Sequence, residues 1–289
     1  MTDFVESARR PSSIELGRRA FRRRQGLVSV AISALSTIAL AAILWWTIVS
    51  TPGWAQVQKT FFDLEVAQAA LPRVWDGFLL NLRVLVFAVL GVLVVSVLLA
   101  VVRTTRGPVL FPLRAIATGY TDLFRGLPLI IVLYLVGYGI PGLQGPGAER
   151  IPAAVLGTIA LILTYSAYVS EVFRAGIEAV HPSQRLAARA LGLSHGKSLR
   201  LVIFPQAVRK VTPALMNDFV AMQKDVGLIS VLGAVDAVRA AQIETASVYN
   251  FTPYVVAGLL FVLLALPMIR FTDWYTERLR AREQIGGIV

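Results

Sequence analysis

The 289-residue chain contains no cysteine. That excludes a disulfide framework, a thiol nucleophile and an iron–sulfur cluster. Histidine is almost as scarce, with two residues. His181 and His195 stand 14 apart in a basic segment, without a carboxylate at ligand spacing. No zinc donor set forms from them, and both read as solvated surface residues. Charge is sparse too: 16% of residues are charged, 56% are hydrophobic, and the mean hydropathy is +0.68. A soluble domain carries about 25% charged residues. The apolar excess lies in long uncharged blocks, which excludes disorder, a collagen-like fibre and a coiled coil, and argues against a soluble enzyme. No Ser-His-Asp order or acid/base carboxylate pair stands out. The run Gly192-Leu-Ser-His-Gly196-Lys197-Ser198 superficially resembles a phosphate-binding loop. It has three residues between its glycines where the motif needs four, and Leu191 stands at the first glycine's place. Nucleotide binding by this chain is therefore not expected.

What the chain has is apolar length. A hydrocarbon core about 30 Å thick needs roughly 20 apolar helical residues. Six candidate spans follow: 27–49, 77–102, 115–140, 151–172, 211–232 and 253–269. With the amino terminus cytoplasmic, 21 of the 28 Lys and Arg fall on the inner side, 5 on the outer side and 2 within spans. This asymmetry follows the positive-inside rule and supports six spans with both termini cytoplasmic. It also accounts for the net charge of +11 without nucleic acid. The first run is longer than the roughly 7–15 residues of a signal-peptide core, so it reads as a retained span. Ahead of it, residues 1–26 form a basic tail whose arginines anchor at the lipid surface. Residues 50–76 read as an outer loop and 276–289 as an inner tail.

The segment between spans four and five reads as a short helix, a glycine turn and a second helix. Pro182 stops the preceding helix and Ser183 is placed to cap a new one over Gln184–Leu191. Leu186, Ala187, Ala188, Ala190 and Leu191 give it a small apolar side. Gly192 suits a left-handed stop, and Ser194 suits the next cap. Small residues favour close approach of a partner protein over burial in lipid.

These residues carry a family resemblance. Leu186-Ala-Ala-Arg-Ala-Leu-Gly192 followed by Val202-Ile-Phe-Pro205 resembles the EAA loop of ABC importer permease subunits. Ala187, Ala188, Gly192 and Pro205 match at the motif's spacing, while Leu186 stands where the motif has Glu. Leu123-Phe-Arg-Gly-Leu-Pro128, Ser166-Ala-Tyr-Val-Ser-Glu-Val-Phe-Arg-Ala-Gly176 and Asn217-Asp-Phe-Val-Ala-Met-Gln-Lys-Asp-Val-Gly-Leu-Ile-Ser230 look like further family segments, in order. The match runs from about residue 77 to 275 and points to the branch that takes up polar amino acids. The resemblance implies an all-α integral membrane protein of the bacterial inner membrane. Its last five spans would form a type I importer permease core, with a cytoplasmic coupling loop at 181–206 and the first span as an addition. It further implies an ATP-binding partner that holds ATP and Mg²⁺, a second permease subunit, and an extracytoplasmic solute-binding protein. The chain itself would hold no cofactor and catalyse no reaction.

Span five is unusually polar. With Asn217 at zero and about 100° per residue, Lys224 lies near −20°, Asp225 near 80° and Asp218 near 100°, with Ala221 and Leu228 between them. Such groups inside a bilayer face protein or water. Two readings stay open: the stripe lines the solute path, or Lys224 pairs internally with Asp218, Asp225 or Glu171. Asp122 with Arg125, and Glu171 with Arg174, read as structural pairs. An ion-coupled secondary transporter is the alternative function; it explains intramembrane Asp and Lys but not a docking loop.

Overall fold

A computed structural model of the chain describes residues 13–105, 107–144 and 149–286. Among the described residues the structure is helical, with no strand. The chain divides into two compact units, Met1–Lys59 and Thr60–Val289. The first holds helix α1 (Ser13–Val49) and most of α2 (Trp54–Phe61). The arginines of the basic tail have side chains outside the described residues. Within α1, the hydroxyls of Ser36 and Thr37 both donate to the Ser33 carbonyl, at 2.9 and 2.7 Å. Hydroxyls in an apolar helix thereby satisfy themselves on its own backbone.

The second unit begins with α3 (Leu64–Thr104), 41 residues long. Asp63 caps it, its carboxylate accepting from the backbone N–H groups of Glu65 and Val66 at 3.0 and 3.2 Å. Next come α4 (Phe111–Gly126) and α5 (Leu129–Leu143), then α6 (Ala153–Glu178). The connecting segment carries α7 (Pro182–Ala190), a short α8 (His195–Ser198) and a π turn (Leu199–Ile203). It runs on into α9 (Phe204–Asp225). A 3₁₀ segment (Val226–Leu232), α10 (Ala237–Val248) and α11 (Thr252–Gly286) complete the unit.

Among the described residues, four helical stretches are long and apolar enough to cross a membrane, or up to six if each of two bent pairs counts as one span. One bend and one change of helix type correct the reading of two spans. The run 115–140 is not one straight helix: α4 and α5 meet at 110°. Leu127 lies in the extended region before Pro128, because a proline ring disfavours helical backbone in its predecessor. The run 211–232 stops being α-helical at Asp225 and tightens into the 3₁₀ segment. Residues 50–76, read as a loop, are helical over α2 and again from Leu64. Helix α10 was not expected at all.

The core forms where α3, α5, α6 and the 3₁₀ segment meet. Val84, Leu85, Ala88 and Val92 of α3 pack with Leu133 of α5, Leu156, Ala160, Leu161 and Tyr165 of α6, and Ile229. Small residues let membrane helices approach closely. At Gly77 an added Cβ would sit 2.4 Å from the backbone carbon of Asp236 and 2.6 Å from the nitrogen of Ala237. Backbone cannot yield as a flexible side chain can. Beside it, Asn81 is fully buried. Its amide donates to the Val226 carbonyl at 3.1 Å and to the Asp236 carboxylate at 3.0 Å, and its carbonyl oxygen accepts from the Ala237 N–H at 3.0 Å. Asp236 also caps α10 by accepting from the Arg239 N–H at 2.9 Å. This network fixes the start of α10 against α3. Gly77→Val is expected to force the two apart and cost about 3 kcal/mol or more, seen as loss of membrane-inserted chain or a lowered Tm in detergent. A wild-type Tm would contradict the close-packing argument.

Candidate functional site

The connecting segment between α6 and α9 is tied down at several points. Arg185 donates from Nη2 to the Ile177 carbonyl at 2.7 Å, and Lys210 donates from Nζ to the Ala179 carbonyl at 2.9 Å. These carbonyls belong to the last turn of α6 and its cap, where helix carbonyls lack intrahelical partners and cations are favoured. Beneath the segment, Ile177, Val180, Ile203 and Ala207 form a small buried cluster. Gly176 lets α9 approach: an added Cβ would meet Val211 at 2.3 Å and the Ala207 carbonyl at 3.2 Å. The segment is therefore a braced knuckle.

Its caps differ in part from the expected ones. His181 caps α7, its Nδ1 accepting from the Ser183 N–H at 3.3 Å; Ser183 lies inside the helix. Gly192 has φ 76°, the left-handed stop, with its N–H on the Arg189 carbonyl at 2.9 Å. Ser194 caps α8. Ala188 is a further correction. It is buried against its own chain and so cannot meet a partner, and a charge placed there would disturb the chain's own packing. The free face instead presents Gln184, Leu186, Ala187, Ala190 and Leu191. Leu186 and Leu191 are 67% and 80% exposed, high values for leucines on an otherwise anchored element. Pro205 is exposed in the first turn of α9, directly after the π turn.

The polar stripe of α9 separates into two parts. Asn217 and Lys224 are exposed, with Ala221 half-buried between them. Asp218 and Asp225 are half-buried. Tyr165 of α6 donates its hydroxyl to Asp225 Oδ2 at 2.7 Å. Asp218 Oδ2 is buried without a hydrogen-bond partner among the described residues. It borders a cavity of about 200 Å³ whose other walls include Val89, Val92, Tyr165, Val169 and Met222. Of the two open readings, internal pairing of Lys224 is not seen: among the described residues no ion pair joins it to Asp218, Asp225 or Glu171. Leu228 leaves the stripe because the α-helix ends before it; it packs against the core.

Glu171 pairs with Arg174, one turn along α6, and also receives Arg103 Nη1 of α3 at 2.8 Å. Arg174 reaches Glu178 as well. Asp122 and Arg125 are both exposed and, among the described residues, unjoined. Their helix ends one residue after Arg125 at the bend, and it is the Arg125 carbonyl that is used, accepting from Tyr168 at 3.1 Å. The residues missed from sequence are Asn81, Tyr165 and Arg103. A polar Asn within the apolar run 77–102 was the available signal for the first.

A helical membrane bundle with a braced, exposed knuckle at one end and a polar seam along one helix defines a membrane transport component. The chain belongs to the family of binding-protein-dependent transport system inner membrane components, whose model matches residues 109–281. It is 33% identical over 217 residues to the arginine transport system permease protein ArtQ of Bacillus subtilis, covering 75% of this chain and 96% of that one. It is 37% identical over 192 residues to a putative glutamine transport system permease protein GlnP of Rickettsia conorii, covering 66% and 85%. Among solved structures, an amino acid ABC transporter with histidines matches with a TM-score of 0.67 and 31% identity, covering 75% of this chain and 98% of that one. The MetNI methionine ABC transporter in its inward-facing form, 20% identical with a TM-score of 0.56, shares the fold, covering 73% and 96%. The fold is thus that of the ABC importer permeases.

Proposed function

We propose that this chain forms the membrane pathway of an ATP-driven importer that carries a polar amino acid into the cytoplasm of a bacterium. One observation carries the coupling part: an anchored helix at the end of the bundle holds two leucines exposed where its own chain offers them no cover. An ATP-hydrolysing subunit, which binds ATP and Mg²⁺, grips this helix. A second permease subunit, the same or a related chain, completes the pathway, and a solute-binding protein delivers the cargo from outside. The charge asymmetry of the loops supports placing both termini and the 181–206 segment on the cytoplasmic side.

The amino-acid substrate is supported by the names of the relatives and by Asp218. An unpaired carboxylate in an apolar wall is costly unless a cationic group meets it in the working cycle. The adjoining cavity is below the roughly 300–1,000 Å³ of drug-sized pockets, a scale suited to one small solute. The test is reconstitution: the chain is purified with the ATPase that accompanies it and placed in liposomes with the binding protein. Uptake that requires ATP is the expected result. Uptake driven by an ion gradient without ATP would instead establish a secondary transporter.

A further inference from the structure

A second site lies away from the polar seam, where α3, α4 and α6 come together at the end of the bundle that carries the knuckle. Three arginines converge on a cleft of about 650 Å³: Arg103 from α3, Arg114 from α4 and Arg174 from α6. Their charges are unequally compensated. Arg103 and Arg174 face two carboxylates, Glu171 and Glu178, and that set is neutral. Arg114 has carbonyls for partners: its Nη1 donates to Thr105 at 3.0 Å and Gly107 at 2.9 Å. Among the described residues, one positive charge is therefore left over in a cleft bordered by membrane-spanning helices. The cleft is amphipathic. Phe111 and Ala115 of α4 form an apolar edge, and α4 continues outward with exposed Leu113 and Ile116.

We propose that this cleft binds the phosphodiester headgroup of an anionic lipid, with its acyl chains lying along the exposed face of α4. A phosphodiester carries one negative charge and so suits the guanidinium of Arg114, which no described carboxylate meets. Its oxygens suit the planar donor fork of arginine. Basic pockets between membrane helices recognise anionic headgroups in this way. Free phosphate shares the headgroup's anionic oxygens but lacks the chains for which the apolar edge provides cover. Glu178, at the cleft rim and 58% exposed, turns away more highly charged phosphates and favours a monoanion.

The full-length chain, purified in detergent, is titrated with phosphatidylglycerol or phosphatidylcholine, and bound lipid is counted by native mass spectrometry. One phosphatidylglycerol per chain is expected to survive detergent washing, and phosphatidylcholine is not. Arg114→Gln should weaken retention at least fivefold. Thr118→Trp should do the same by filling the cleft from an exposed position while every charge remains, so it decides the matter should Arg114→Gln fail to fold. Arg125→Gln, exposed on the same helix outside the cleft, should bind as wild type. Equal retention of the two lipids, or wild-type retention by Thr118→Trp, overturns the proposal. Competition by soluble glycerophosphoglycerol, the same phosphodiester without acyl chains, as strong as by the lipid would overturn the lipid assignment in favour of a soluble-phosphate site.

Discussion

Replacing Leu186 and Leu191 together by aspartate is expected to leave the chain in the membrane at wild-type abundance and to cut ATP-driven uptake by roughly 100-fold or more. The two side chains are 67% and 80% exposed, so the chain loses little packing when they go. Each is covered only when a partner docks, and fully burying a leucine side chain is favourable by about 1.5–3 kcal/mol. Two such losses, with unpaired charges added to the joint, amount to two or three decades of affinity. The ATPase should no longer co-purify. Normal uptake by the double variant at normal abundance would remove the knuckle from the coupling route.

The second large effect is expected at Asp218. Asp218→Asn keeps the size of the side chain and removes the charge that no described residue meets. A charge-assisted hydrogen bond contributes about 1.5–3 kcal/mol. Uptake of a cationic amino acid is therefore expected to fall about 10- to 150-fold, with the Tm unchanged or raised, because an uncompensated carboxylate has left an apolar wall. A structural role predicts the reverse: a lowered Tm with uptake per folded chain intact. Tyr165→Phe serves as comparison. It frees Asp225 from its one hydroxyl donor at 2.7 Å, so a Tm loss is expected there.

How much of this was legible in the sequence follows from the physics of each feature. Long uncharged runs specify helices, and Gly192 and Ser194 announce a stop and a cap through local chemistry alone. The bend between α4 and α5 was also written locally, in Gly126-Leu127-Pro128, but taking 115–140 as one span despite Asp122 and Arg125 masked it. Other features depend on neighbours distant in sequence. Ala187 and Ala188 are chemically identical, and the packing of the helix on the rest of the chain, with Arg185 tied to the end of α6, decides which of them is buried. Lys224 stands on one helix with two aspartates, yet Tyr165 takes one of them and the cavity borders the other. Helical angles place residues on a face and are silent about the partners opposite. The extrapolation to Leu228 failed for a local reason, since 100° per residue holds only while the helix remains α.

The absence of cysteine makes the most direct test available, because a single introduced thiol is unique in this chain. Leu191→Cys, carrying a short bifunctional cross-linker, reports what covers the knuckle. A covalent adduct with the ATP-hydrolysing subunit is expected, and no reaction with a membrane-impermeant thiol reagent added to intact cells. Labelling from outside, or an uncovered thiol in an assembly that still imports with ATP, would contradict it.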